Sequence, residues 1–172
     1  MSQVRLRPPA HRVDRRAIWL WTLQALTGAI TTVGLGCVGA AVISATRPGW
    51  LPEWLLDRTW LLPVVIGVLF LPEVTIAPVW RYRVHRWEVS ADVVYTRAGW
   101  FSRTWQLVPV ARVQTVDRTQ GLLERLFGLA TLRVTTASHA GSSLIVGLRD
   151  PVATELSETL AVQAGELRDD AT

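Results

Sequence analysis

The chain has 172 residues, 49% of them hydrophobic, and a formal net charge of +4 in which all 18 basic residues are arginines. The lack of lysine excludes Schiff-base lysines and lysine-bearing phosphate loops. The single cysteine, Cys37, excludes an intramolecular disulfide or a cysteine-rich metal site and reads as a small apolar helix residue.

Residues 1–17 form a basic N-terminal tail, with Arg5, Arg7, Arg12, Arg15 and Arg16 against Asp14 alone. From Ala17 to Thr46 no charged residue occurs. A bilayer core needs roughly 20 mostly apolar helical residues, so this run spans with surplus for tilt, and a first transmembrane helix is expected over about 18–44. A signal peptide also begins with basic residues and an apolar run, but its apolar core is only about 7–15 residues long. A second apolar segment follows between Arg58 and Arg81. Its residues 60–80 extend about 31 Å as a helix, close to the hydrocarbon thickness. Trp60 and Trp80 at its ends, and Trp19 and Trp21 in the first span, suit interfacial aromatic belts. The loop 47–58 is short and carries Pro48-Gly49 and Pro52, so residues 18–80 read as a transmembrane hairpin.

Arginines precede the first span and follow the second (Arg81, Arg83, Arg86), while the connecting loop has only Arg47 and Arg58. The positive-inside rule puts both termini in the cytoplasm. Trp80, Arg81, Arg83 and Arg86 are then candidate contacts to anionic headgroups. Within the first span Gly28, Thr32, Gly36, Ala40 and Ser44 recur every four residues as a small-residue seam that permits close helix approach. It packs either on the second span, which is always present, or on another copy. Glu73, beside Pro72, is an acid within a span and so a functional candidate. The bland alternative is a position near the helix end, with Arg81 or water within reach. No second intramembrane acid or base accompanies it, which argues against a proton relay in one copy.

After Arg81 the pattern changes to short alternating segments: 86–89, 93–97, 103–108, 110–117, 131–136 and 144–148, separated by turn residues. Six such strands predict a small antiparallel sheet or barrel over residues 81–165. Asp150 as N-cap, Pro151 at the first helical position and the stripe Val152, Leu156, Leu160 predict a closing helix, with Gly165 as its terminator and a frayed polar tail over 166–172. Between strands, Gly121-Leu-Leu-Glu-Arg-Leu-Phe-Gly128 reads as a short amphipathic helix. It either plugs one end of the barrel, the favoured reading, or offers Leu residues to lipid or a partner. Trp100-Phe101 at a hairpin tip is either an interfacial anchor or a lid.

The run Trp87-Glu-Val-Ser, then Ala98-Gly-Trp-Phe-Ser-Arg, then Val108-Pro-Val-Ala-Arg-Val-Gln-Thr-Val, then Arg125-Leu-Phe-Gly-Leu-Ala-Thr-Leu-Arg-Val-Thr-Thr-Ala, resembles the bacterial pleckstrin-homology-like (PH-like) domains of the YdbS-like membrane proteins, over about residues 80–162. The resemblance implies an α+β membrane protein: a two-helix hairpin followed by a partly open β-barrel or sandwich capped by a C-terminal helix. It brings no general catalytic or ligand site. Where eukaryotic namesakes hold phosphoinositides with a basic loop, this chain has Ser90-Ala91-Asp92, so inositol-phosphate binding is not expected.

No catalytic constellation is legible. His11, His85 and His139 lie far apart, and no nucleophile elbow, phosphate loop or metal-ligand spacing occurs. The expectation is a non-enzymatic, cofactor-free, membrane-anchored module. Its partners are the bilayer, anionic headgroups and other envelope proteins or further copies, with an exposed sheet edge as the partner surface. Neither nucleic acid nor a small-molecule substrate is expected, because the basic charge flanks the spans rather than covering the domain. The rivals are a small transport or channel accessory working through Glu73, and a membrane enzyme at the helix–barrel junction.

Overall fold

A computed structural model of the chain describes residues 7–99, 102–136 and 142–169. It divides into two compact units: Trp21–Pro78, and a second that joins the N-terminal residues up to Leu20 to those from Val79 onward.

The first unit is the helical hairpin. Helix α1, Arg16–Thr46, has 31 residues, about 46 Å of rise, and ends at Arg47 with a left-handed φ of 40° ahead of Pro48. The loop contains a helix the sequence did not announce, α2, Glu53–Leu56, with Pro52 before its first turn. Helix α3 covers Leu61–Thr75 and α4 covers Ala77–Val84. The interruption at Ile76 has a local cause. Pro78 has no N–H to give the carbonyl four residues back, so the hydrogen-bond ladder fails there. The helical path nonetheless continues four residues past Trp80, the end expected for the second span, so Arg81 and Arg83 ride on a helix. Both long apolar helices are of span length and composition. Their apolar side chains mostly face outward: Leu35 is 68% and Leu69 72% exposed. Hydroxyls inside the spans are satisfied locally. Thr27, Thr31 and Thr32 each donate to the carbonyl four residues earlier, at 2.8–2.9 Å, which leaves no unpaired polar group facing hydrocarbon at those positions.

The second unit is the strand-rich domain. Strands β1 (His11–Arg12), β2 (Arg86–Val89), β3 (Val93–Gly99) and β4 (Arg103–Pro109) form one antiparallel sheet in that order. After a 3-10 turn, Val110–Arg112, strands β5 (Val113–Thr119), β6 (Leu129–Thr136) and β7 (Ser143–Arg149) form a second. Short α5 (Leu122–Phe127) links β5 to β6, and α6 (Asp150–Asp169) closes the chain. The alternating strand residues meet in one core. Val94, Val108, Val110, Leu132, Val134 and Leu148 are buried there beneath Ala153 and Leu160 of α6. The two sheets are tied across that core by a buried hydrogen bond of 2.8 Å between the Thr96 and Ser143 hydroxyls, from β3 and β7.

Three expectations change. The N-terminal tail is not a free basic segment, because it supplies β1. Gly165 does not stop α6, which runs on to Asp169. The left-handed glycines are Gly99, Gly128 and Gly147 among the described residues, so Gly165 does not form the left-handed glycine cap expected of it. The α5 helix is not a full plug. Leu123 and Phe127 are half-buried, but Leu122 and Leu126, one turn apart, are 86% and 73% exposed. Arg5, Trp100-Phe101 and the His139-Ala140-Gly141 turn lie outside the described residues.

Candidate functional site

The N-terminal segment is bound to the domain by every class of contact available to it. His11 pairs with Trp87 and Arg12 with Arg86 in strand register, and the His11 and Trp87 rings meet at a tilt of 31°, their centroids 4.9 Å apart. Glu88 accepts both the Arg7 guanidinium, at 2.5 Å, and the Ala10 amide, at 3.0 Å. The Tyr95 hydroxyl donates to the Arg7 carbonyl at 2.7 Å. Pro9 and Val13 are buried, and the Asp14 amide donates to the Gly147 carbonyl of β7 at 2.9 Å. The segment thus covers the β2 edge of the first sheet and then reaches the second. An uncovered edge here would present unpaired N–H and C=O groups.

Asp14 ends this segment and starts α1. One carboxylate oxygen accepts the Arg16 amide at 2.8 Å, as a helix N-cap does, and the other accepts Arg149 at 2.5 Å. Burial raises the Asp14 pKa, but the Arg16 amide and the Arg149 cation together outweigh it, so the carboxyl sits below its ordinary value. Arg16, the first residue of α1, also donates to the Phe127 carbonyl at 3.4 Å. The α5 helix therefore stands beside the point where the chain begins its first span. It is firmly held: Glu124 accepts the Gly121 amide at 2.8 Å and the Thr131 hydroxyl at 2.6 Å.

At the other junction His85 follows α4. Its Nδ1 lies 2.9 Å from the Arg81 carbonyl. A carbonyl only accepts, so Nδ1 carries the proton. Burial lowers the His85 pKa most, and the Arg81 charge adds to that against the opposing effect of the hydrogen bond. Of the candidate headgroup contacts, Arg81, Arg83 and Trp80 are exposed. Arg86 is half-buried and directed inward to the Pro9 carbonyl at 3.4 Å. Sequence reading missed that role because nothing local to Arg86 announces a partner 77 positions away.

The small-residue seam is not uniform. Gly36 and Ala40 are buried and Thr32 is half-buried, whereas Gly28 and Ser44 are exposed. A Cβ on Gly36 would lie 2.9 Å from Ile66 Cδ1 and 3.6 Å from Pro63 Cα, both on α3, while one on Gly28 would meet nothing within 4 Å. Glu73 is half-buried on α3, three residues before the break at Ile76.

The remaining candidate is a sheet edge. Among the described residues strand β4 hydrogen-bonds to β3 alone, and it exposes Trp105 (40%) and Leu107 (50%). The Arg97 guanidinium lies 6.0 Å from the Trp105 ring, and burial, then the Arg103 and Arg86 charges, lower its pKa. An arginine remains charged under such shifts. Among the described residues no group of three or more His, Cys, Asp or Glu is placed to hold a metal ion.

The chain matches the bacterial PH domain family over residues 29–164, from within α1 through the second apolar helix and most of the strand-rich domain. A relative from Bacillus subtilis (strain 168), described as UPF0699 transmembrane protein YdbS, is 33% identical over 137 residues, covering 78% of this chain and 80% of the relative. No solved structure matches.

Proposed function

We propose that this chain, which belongs to the bacterial PH domain family, is a non-enzymatic, membrane-anchored module that holds other envelope proteins at the cytoplasmic face of the membrane. The observation that carries the reading is the open β4 edge. A seven-residue strand with one side unpaired and two exposed apolar side chains suits strand addition, in which main-chain hydrogen bonds supply affinity and alternate side chains supply selectivity. The two outer strands of that sheet are the two-residue β1 and the seven-residue β4, so among the described residues β4 offers the longer open edge.

Membrane anchoring is supported by the two apolar helices and by the strand pairing itself. His11 and Trp87 share a ladder, so they stand on one side of the bilayer, and the chain between them crosses an even number of times. A hairpin of two spans meets that requirement. Removal of α1 as a signal peptide would also remove β1. The side is assigned by arginine: the positive-inside rule favours the cytoplasm for both termini. Arg81 and Arg83 then face the headgroups, each basic residue being worth about 1 kcal/mol there.

The test is co-purification. The full chain and a Trp105→Glu, Leu107→Glu double variant are extracted in mild detergent, and the accompanying membrane proteins are compared. Loss of a specific subset from the variant is expected, and an identical set would remove the β4 edge from consideration. A reporter fused after Thr172 should be active only in the cytoplasm, and a periplasmic signal would reverse the topology.

A further inference from the structure

A second feature of the domain points to a ligand. Between β1, the end of α4, the start of β2 and the β7–α6 junction lies an open notch of about 280 Å³, lined by Arg12, Asp14, Arg15, Tyr82, Trp87 and Arg149 among others. That is just below the roughly 300–1,000 Å³ typical of small-molecule sites, a size suited to a polar headgroup rather than a whole lipid.

Its chemistry favours an anion. Three arginines face one carboxylate, and Asp14 is already committed to Arg149 and to the Arg16 amide. Among the described residues neither Arg12 nor Arg15 pairs with a carboxylate; Arg12 instead lies 6.0 Å from the Tyr82 ring. Trp87 contributes ring surface to the notch wall, its ring also packing on the domain core. Guanidinium forks match phosphate oxygens bidentately.

Its place in the chain favours a lipid. Arg15 immediately precedes α1, and Tyr82 sits in the last turns of α4, where the second apolar helix ends. The notch walls are therefore built at the two points where the chain meets the bilayer, the level at which phosphates and amphipathic aromatic rings are found. We propose that this notch binds the phosphate of an anionic glycerophospholipid, through Arg12 and Arg15 with Arg149 held in place by Asp14. The inference rests on the reading of the domain as a module standing at the headgroup layer.

Native mass spectrometry of the full chain in neutral detergent, with phosphatidylglycerol or phosphatidylcholine added, tests it. The chain should retain one phosphatidylglycerol in preference to phosphatidylcholine. An Arg12→Gln, Arg15→Gln double variant should retain it about tenfold less or weaker still, and an Arg112→Gln, Arg133→Gln double variant, which removes two exposed charges outside the notch, as well as the parent. Lack of preference for phosphatidylglycerol, or equal loss in the Arg112→Gln, Arg133→Gln variant, overturns the notch in favour of diffuse surface charge. Hydrogen exchange at β6 reports folding, and an Arg12→Lys, Arg15→Lys variant that restores part of the binding separates lost charge from lost structure; lysines that restore none overturn the proposal. Calorimetric titration with inorganic phosphate distinguishes the source. Tight, saturable binding that the double variant loses would assign the notch to soluble phosphate and overturn the lipid. Depth-dependent quenching of a label at Arg83→Cys, in a Cys37→Ala background, reads the pose separately. A label at headgroup depth without lipid retention overturns the notch and leaves the pose standing.

Discussion

The two units use the same apolar residue types in opposite ways. In the PH-like domain Leu129, Leu132 and Leu160 have no exposed surface at all, whereas Leu35 and Leu69 of the hairpin are mostly exposed. The domain is held by removing apolar surface from water. The hairpin gains nothing from that transfer, because lipid is as apolar as leucine, and it depends instead on close contact between helices. Truncation should therefore damage the domain, and enlargement should damage the hairpin.

The largest effect is expected at the centre of the domain. Leu132→Ala should cost about 2–5 kcal/mol, and Leu69→Ala should leave the domain's stability unchanged. Denaturant unfolding of the detergent-solubilised chain, followed by protease resistance of the domain, compares them. Equal losses would dissolve the contrast. Within the hairpin, Gly36→Leu should cost about 1–3 kcal/mol by overpacking against Ile66 and Pro63, and Gly28→Leu should be silent. Thermal unfolding in micelles reads the pair. Damage from Gly28→Leu instead would move the seam to a contact with another copy.

A smaller loss is expected at the junction. Asp14→Ala removes the Arg149 ion pair and the side-chain cap of α1, for about 0.5–2 kcal/mol. The pH dependence has a defined sign. The folded pKa of Asp14 lies below its ordinary 3.8, so its contribution is present above that value and is lost as the pH falls through the lower folded pKa. The folded pKa of His85 lies below 6.5. The unfolded chain therefore takes up that proton first, and stability also falls as the pH drops below 6.5 towards the folded value. Acid unfolding of the parent and of His85→Gln should differ in this upper window, and coincident curves would remove His85 from the profile. Least of all is expected from Glu73→Gln, which should change neither the domain's stability nor the co-purifying proteins. A lost phenotype with an intact complex would revive the transport reading.

What could be read from the residues alone follows from where their information is local. The run from Ala17 to Thr46 without a charge announces a span by length. Leu132 and Val134 alternating with Arg133 and Thr135 announce a strand by period. The Val152, Leu156, Leu160 stripe announces α6 and the face it buries. The β1 strand was illegible for the opposite reason. His11-Arg12 is short and polar, and its partners, Trp87 and Arg86, lie far along the chain. Nor could the outward turn of Leu122 and Leu126 be seen, since an amphipathic segment names an apolar face without naming what covers it.

By itself the sequence determined the two apolar helices, the strand pattern of the domain and its family, because each is encoded in composition, period or a contiguous motif. Only the tertiary structure decided that the N-terminal tail is a strand, that Arg86 is turned inward to hold it, that Gly36 rather than Gly28 meets α3, and that Arg12, Arg15 and Arg149 share one notch. Those outcomes depend on pairs of residues brought together across the fold, and no local pattern carries a residue's distant partner.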